Sequence, residues 1–322
     1  MAETIQQRVR VPESLGGLRL DQAAAELFPE FSRARLQDWI RSSALKVDDR
    51  AAKPRLRLLG GEWLHLDAVL ESQQQWQAES IALDITYEDG HILVLNKPAG
   101  LVVHPAAGNY SGTLLNALLH YIPGLNQLPR AGIVHRLDKD TTGLMVVAKT
   151  LSAHTDLVAQ LQRRAVSREY EAVVQGELSA DSCVEAPIGR HPRQRKKMAV
   201  VNAGGKEAVT HYRILRRLGA YTHLRLKLET GRTHQIRVHM AHIGHPLVGD
   251  PVYRGRVSIP RGADSGLVEI LRGFPRQALH AACLGLTHPH SRAFMQWSAP
   301  LPEDMTYLLE WLNRYREKVN HG

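Results

Sequence analysis

Early in the chain the apolar positions repeat with a helical period. Leu20, Ala23, Ala24, Leu27 and Phe28 fall on one face and predict a helix. Ser32 stands where an N-cap belongs, ahead of a second helix from Arg33 to about Ser42. Leu36, Trp39 and Ile40 make its apolar stripe, and Arg33, Arg35 and Arg41 lie off that stripe, facing outward. Strand-like runs follow, ALKVDDRAA with an Asp-Asp turn and then RLRLLGGEWLHL. These segments define a compact module over 15–72, and the polar, aperiodic stretch 73–80 reads as a linker.

The remainder, 81–322, has a different rhythm. Ile85 to Tyr87 and Ile92 to Asn96 predict two strands joined through Asp89-Gly90, a good hairpin pair. Further β-like runs are IVHRL, LMVVAK, YEAVVQGEL, VTHYRIL, THLRLKLET and ACLGLTHP. Helical stretches are fewer: about 113–121, 151–164, 233–243 and 302–317. Strands outnumber helices without alternating regularly with them, which predicts an α+β domain built on a mixed, mostly antiparallel sheet.

Composition narrows the class. Of 322 residues, 43% are apolar and 23% charged, the balance of a soluble globular chain able to bury a core without staples. Two cysteines, Cys183 and Cys283, make no disulfide framework and no CxxC pair, so a reducing cytoplasm is the expected setting. The N-terminus lacks an apolar signal region, and no run of about 18 apolar residues appears, so neither export nor a membrane is expected. The net charge of +9 has two readings, solubility alone or a polyanionic partner. Its distribution favours the second: residues 1–72 balance 11 basic against 11 acidic side chains, yet 31–57 hold eight against three.

The segment GIVHRLDKDTTGLMVVAKT, 132–150, is the richest in chemistry. His135, Arg136, Asp138, Lys139, Asp140, Thr141 and Thr142 form a nearly continuous polar cluster between two apolar runs, more than turn chemistry requires. A solvated loop held by an Asp–Arg pair is the plain alternative. Asp140 is a competing carboxylate two residues from Asp138; in a strand both would share a face, though a structural role in holding Lys139, Thr141 or Thr142 is preferred.

HRLDKDTTGL is similar to the signature of the RluA-type pseudouridine synthases, and the likeness runs end to end. It takes in EDGHILVLNKPAGLVVHP, NALLHY, REYEAV, LETGRTHQIRVHMAHIGHPLVGDPVY and RQALHA in the family's order; only GNYSG, 108–112, departs from it. The helix–helix–strand pattern with outward arginines resembles the S4 RNA-binding module. The resemblance implies a pseudouridine synthase fold preceded by a small S4-like module. It also implies an isomerase that converts specific uridines of large-subunit (23S) ribosomal RNA, a stem-loop substrate, to pseudouridine, in support of ribosome assembly. Asp138 would be the essential aspartate, and Arg136 the arginine entering the helix where the target base has left. Tyr170 would lie against the flipped uracil, Arg237 would pair with the aspartate, and Ile236 would wall the base pocket. Lys97 and Pro98 match a family segment near the site without an assigned role.

These residue types suit the reaction. The bond from ribose C1′ to uracil N1 is cut, the base turns, and C1′ is joined to C5. Nothing is oxidised and nothing leaves, so no cofactor is expected. A carboxylate can attack the sugar or take a proton from C2′. Either route needs Asp138 ionised, favoured by Arg237 through charge and directed by a bidentate pair. Flipping the base costs a few kcal/mol, which a stacked guanidinium partly offsets.

Other polar features carry paired readings. His234, His239, His242 and His245 could hold zinc, but lack a helical i,i+4 ligand pair with an acidic or Cys partner; satisfied structural histidines are preferred. The run 189–198, with Arg190, Arg193, Arg195, Lys196 and Lys197, is a solvated loop or an RNA-backbone contact, which Arg163, Arg164 and Arg168 could extend. A non-catalytic ribosome-assembly factor is the rival reading, and it has no need of the Asp138, Tyr170 and Arg237 set. A metal-dependent nuclease would need acidic ligands beyond Asp138 and Asp140. The expected protein is a monomer whose partner is ribosomal RNA, with no metal and no membrane.

Overall fold

A computed structural model describes residues 3–29, 31, 33–70, 76–105, 109–194 and 197–321. The chain divides into two compact units, Met1–Trp76 and Gln77–Gly322. In the first, strand β1 (Glu3–Arg10) precedes helices α1 (Leu20–Leu27) and α2 (Arg33–Arg41), followed by β2 (Leu45–Val47) and β3 (Trp63–Leu70). The sheet order is β1-β3-β2, antiparallel throughout. Leu20, Ala23, Ala24 and Phe28 of the first helical stripe and Leu36 and Ile40 of the second pack with Leu45, Leu64 and Leu66 into one buried core. The expected cap Ser32 lies outside the described residues. β1 escaped the sequence pattern because Glu3–Arg10 reads as polar; it forms by pairing along the whole of β3. Only the Trp63 end of the second expected strand extends, since Arg57 to Glu62 turn through Gly60 and Gly61.

The second unit begins with β4 (Ile85–Glu88) and β5 (Ile92–Lys97), then α3 (Leu114–Tyr121), β6 (Thr142–Ala148), α4 (Leu151–Gln162) and β7 (Ser167–Gln175). Next come β8 (Ser182–Glu185), β9 (Ile188–Arg190), β10 (Met198–Val200), β11 (Val209–Arg217), β12 (Tyr221–Leu228), α5 (Gln235–His242) and α6 (Ser265–Gly273). β13 (Leu279–Thr287), β14 (Phe294–Ser298) and α7 (Glu303–His321) complete it. Among the described residues nine strands form one sheet in the order β4-β5-β6-β13-β7-β12-β11-β8, with β14 on β13. Its pairings are antiparallel except that of β13 with β6, so the sheet is mixed and mostly antiparallel, as expected. The hairpin at Asp89 forms because its carboxylate accepts from the N–H groups of His91 and Ile92, at 2.7 and 2.8 Å. Met305, Leu308, Leu309 and Leu312 on α7 pack against Leu267 and Leu271 of α6 and against Tyr221.

One expectation fails where it matters most. IVHRL does not form a strand: Ile133 makes a single bridge to Val147, and 134–138 run irregularly into a turn at Lys139 and Asp140. The strand-like alternation that would put Asp138 and Asp140 on one face therefore does not apply.

Candidate active site

The loop before β6 is pinned residue by residue from other parts of the unit. Lys97, fully buried at the end of β5, donates from Nζ to the carbonyls of Pro98, Leu101 and Lys139 at 2.7, 3.0 and 2.8 Å. Arg276 donates to the Asp140 carbonyl, Gln277 to Thr141 Oγ1, and the His280 ring bonds Thr142 Oγ1. His135 turns inward, and its Nε2 accepts the N–H of Val146 at 3.0 Å, while burial takes its pKa down to about 3, leaving it neutral. Lys139, Thr141 and Thr142 are thus held by Lys97, Gln277 and His280, and the Asp140 backbone carbonyl by Arg276. Gly143 follows with φ +113°; a Cβ there would stand 2.3 Å from the Ala281 oxygen, so only glycine lets β6 meet β13 in parallel.

Asp138 leaves this pinned loop and meets α5. Arg237 Nη1 donates to Asp138 Oδ2 at 2.8 Å. The expected bidentate pair exists, but with a different carboxylate: Arg237 Nε and Nη2 bond Asp250 at 2.7 and 3.0 Å. Asp250 is fully buried and also accepts from the N–H groups of Val252 and Tyr253. Its burial opposes the charge, but Arg237 and those N–H groups outweigh it and hold the pKa below the usual carboxylate range. Burial likewise works against the Arg237 charge, and the two aspartates overcome it. A single guanidinium is therefore locked from the inside by Asp250 and offers its remaining face to Asp138.

His234 is a second neighbour. It precedes α5 in the left-handed region, φ 56° and ψ 23°, a strain of order 1–3 kcal/mol for a residue with a side chain. Its Nε2 lies 3.9 Å from Asp138 Oδ1, and its Nδ1 lies 2.9 Å from the Tyr253 hydroxyl. Burial lowers its pKa, against the pull of Asp138. The four histidines of this run do not converge. His239 bonds Thr210 and the Ala186 carbonyl, His245 bonds the Gln175 carbonyl, and His242 is exposed. Among the described residues no cluster of three His, Cys, Asp or Glu is placed to hold a metal ion.

These groups line a cleft of about 1200 Å³ in which Asp138, Tyr170, Ile236, Arg237 and Arg136 come together. Tyr170 and Ile236 are buried and Arg136 is exposed at the opening. Burial raises the Tyr170 hydroxyl pKa, keeping it neutral. Arg130, Arg136, Arg164, Arg168, Arg232 and Arg237 give the cleft six guanidiniums. Arg164 is tied to Glu207 and Glu229 at 2.9 and 3.4 Å, whereas Arg168 Nε is buried with no hydrogen-bond partner among the described residues.

The remaining expected basic residues are scattered. Arg193 is exposed and Lys197 half-buried at the tip of the β9–β10 hairpin, where His191 Nδ1 accepts from the N–H groups of Arg193 and Gln194. Arg195 and Lys196 lie outside the described residues. In the first unit Arg41 pairs with Asp38 at 2.6 Å, and Arg35 lies over the Trp39 ring. Arg33 is half-exposed but donates twice to Asp21, a fully buried carboxylate that also binds Arg19 and Gln37. Sequence reading missed Asp21, Asp250, His234, Tyr253, Arg276 and Gln277 as partners. Their only signal was membership of polar stretches next to apolar ones, which does not say what they face.

The mixed sheet and its cleft place the chain in a known class. A human protein, RNA pseudouridylate synthase domain containing 4, matches it with a TM-score of 0.56 and 25% identity, over 71% of this chain and 92% of that one. Human RNA pseudouridylate synthase domain containing 1 shares the fold at a TM-score of 0.52 and 24% identity, over 73% of this chain and 96% of that one. The profile of the RNA pseudouridylate synthase family matches residues 91–242. Ribosomal large subunit pseudouridine synthase D of Pseudomonas aeruginosa is 61% identical over 317 residues, covering 98% of this chain and 99% of that one. The protein of the same name from Escherichia coli is 55% identical over 311 residues, covering 96% and 95%. The chain belongs to the RNA pseudouridylate synthase family and is an RNA-uridine isomerase.

Proposed function

We propose that this enzyme isomerises specific uridines of large-subunit (23S) ribosomal RNA, with Asp138 acting on the ribose of a flipped nucleotide. The observation that carries the reading is the Asp250–Arg237–Asp138 relay at 2.7 and 2.8 Å, opening on a cleft with Tyr170 and Ile236. A guanidinium fixed from behind aims one carboxylate and keeps its direction while the substrate turns. The name shared by the Pseudomonas and Escherichia relatives, ribosomal large subunit pseudouridine synthase D, supports the choice of RNA.

Atoms balance within the nucleotide. The C1′–N1 bond breaks, the uracil rotates, C1′ joins C5, and the C5 proton is lost as N1 gains one. Asp138 serves this either by bonding C1′ or by removing the C2′ proton. Tyr170 offers its ring to the free base, Ile236 closes the apolar wall, and Arg136, exposed at the opening, fills the gap left in the helix. The first unit is an S4-like RNA-binding module in which Arg35 and Arg41 face phosphates, while Arg33, expected beside them, is committed to Asp21. Arg193 and Lys197 contact RNA backbone from the hairpin, joined by Arg195 and Lys196, which lie between them in sequence. The enzyme works in the cytoplasm as a monomer and needs no cofactor. Among the described residues no helix is long and apolar enough to cross a membrane.

Asp138→Asn tests the assignment. Arg237 keeps Asp250, so the fold stands. Turnover on a large-subunit ribosomal RNA transcript should vanish while RNA affinity stays within about threefold, under 1 kcal/mol. Undiminished pseudouridine formation by that variant removes Asp138 from the chemistry.

A further inference from the structure

Tyr253 joins three things that the reaction needs together. Its ring lies against the Arg237 guanidinium, 5.1 Å from centroid to Cζ, and edge-on to His234 at 5.7 Å. Its backbone N–H donates to Asp250. Its hydroxyl accepts the N–H of Met198, the first residue of β10, at 3.0 Å, and meets His234 Nδ1 at 2.9 Å. A phenol has one proton to give and accepts through its lone pairs. With Met198 donating to its oxygen, the phenol is free to give its own proton to His234 Nδ1. The imidazole proton then sits on Nε2, the nitrogen 3.9 Å from Asp138 Oδ1. His234 is also the left-handed residue at which α5, the helix of Arg237, begins.

On its other side the hydroxyl holds the β9–β10 hairpin. Met198 pairs with Arg190, and between them run the basic residues of the tip. Ile188, Met198 and Val200 of the hairpin pack with Tyr253 and with Val238, the neighbour of Arg237 on α5. The hairpin thus has one polar and one apolar connection to the helix that carries the relay, and Tyr253 takes part in both.

We propose that Tyr253 is a positioning residue that couples RNA held at the β9–β10 tip to the catalytic relay. When phosphates are bound at Arg193 and Lys197, the hairpin is fixed. Met198 then holds the phenol, and the phenol sets the His234 tautomer and the Arg237 plane. This rests on the site assignment above, so the experiment includes a variant that tests that assignment separately.

The test compares full-length wild type, Y253F, H234Q, D138N, a hairpin variant with Arg193 and Lys197 changed to Gln, and the Y253F–hairpin combination. Each acts on a transcribed large-subunit ribosomal RNA stem-loop. Y253F keeps the ring and removes only the hydroxyl. It should lower the rate at saturating RNA roughly tenfold with KM unchanged, and lower the melting temperature by only a few degrees, the effect of the lost hydroxyl bonds. H234Q, which alters the other end of the same bond, should lower the saturating rate likewise. The hairpin variant should raise KM and also lower the saturating rate. The combination should be no slower at saturation than the slower single variant, because both act through one connection. A full rate for Y253F, or losses that multiply in the combination, overturns the coupling. An active D138N overturns the site and the coupling with it; an inactive D138N beside a fully active Y253F overturns the coupling alone.

Discussion

Arg237 has two carboxylates, and the inner one holds it. Asp250 takes both Nε and Nη2, so losing it leaves a guanidinium 4% exposed with only Asp138 to neutralise it. Breaking a buried pair from one side costs about 3–5 kcal/mol. Asp250→Asn keeps the shape and part of the hydrogen bonding, so a loss of about 2–3 kcal/mol in urea unfolding is expected, with turnover down more than tenfold. Unchanged unfolding would show that the outer pair suffices. Lys97 gives a pH-dependent counterpart. Burial takes its pKa from 10.5 down to about 8, against the pull of Asp140 and Asp138. Below pH 8 the ammonium donates to all three carbonyls; above it a neutral amine gives up at least one bond and the charge. The rate at saturating RNA should therefore fall on the alkaline side with an apparent pKa near 8. Unfolding does not account for such a fall. Between pH 8 and 10.5 the unfolded chain binds the proton that folded Lys97 has released, so this group's contribution to stability rises with pH. A rate that stays level to pH 9.5 would contradict the role given to Lys97.

At the scale of elements, Gly143 decides whether the pinned loop can join the sheet. Gly143→Ala would drive a Cβ to 2.3 Å from one Ala281 backbone atom and 2.5 Å from another, at a φ of +113°. Neither strand can retreat without breaking the parallel pairing of β6 with β13, so destabilisation above about 3 kcal/mol is expected by chemical denaturation. A loss below 1 kcal/mol would mean that β13 is not held there. What the sequence made legible at this scale follows from period and caps. The Asp89 hairpin, β6, β7, β11 and β12 and four of the helices in the larger unit were readable because one face of each is apolar or because the run itself is. α6 was missed although Leu267, Ile270 and Leu271 repeat at helical spacing behind an Asp264 cap, because it is only nine residues long. β8, β9 and β10 escaped because four or three residues are too few to show alternation, and β14 because Phe294 is 63% exposed. The irregular run at 134–138 looked like a strand because Ile133, Val134 and Leu137 are apolar. Three of its five residues are polar, and the loop is shaped by Lys97, Arg276 and Gln277, from far along the chain. The same limit applies to the site: Asp138 and Arg237 were nameable from their motifs, but Asp250 as the bidentate partner is a fact of packing.

Across the whole molecule, charge is the term that the two units share, and the first unit separates structural from binding arginines. Arg33 commits its guanidinium to buried Asp21, whereas Arg41 pairs with Asp38, 74% exposed, where screening leaves little net attraction. Neutralising each should therefore do different things. Arg33→Gln leaves Asp21 short of a partner and should lower the melting temperature of the full chain by several degrees, the effect of about 1–2 kcal/mol. Arg35→Gln with Arg41→Gln should leave melting unchanged, weaken binding to ribosomal RNA, and flatten the slope of log K against log salt by about one for each phosphate no longer neutralised. The saturating rate should hold in that double variant, because the relay lies wholly within Gln77–Gly322. A salt slope that does not move would take the first unit's arginines out of the phosphate-binding surface and leave the affinity for RNA to the cleft and the β9–β10 hairpin.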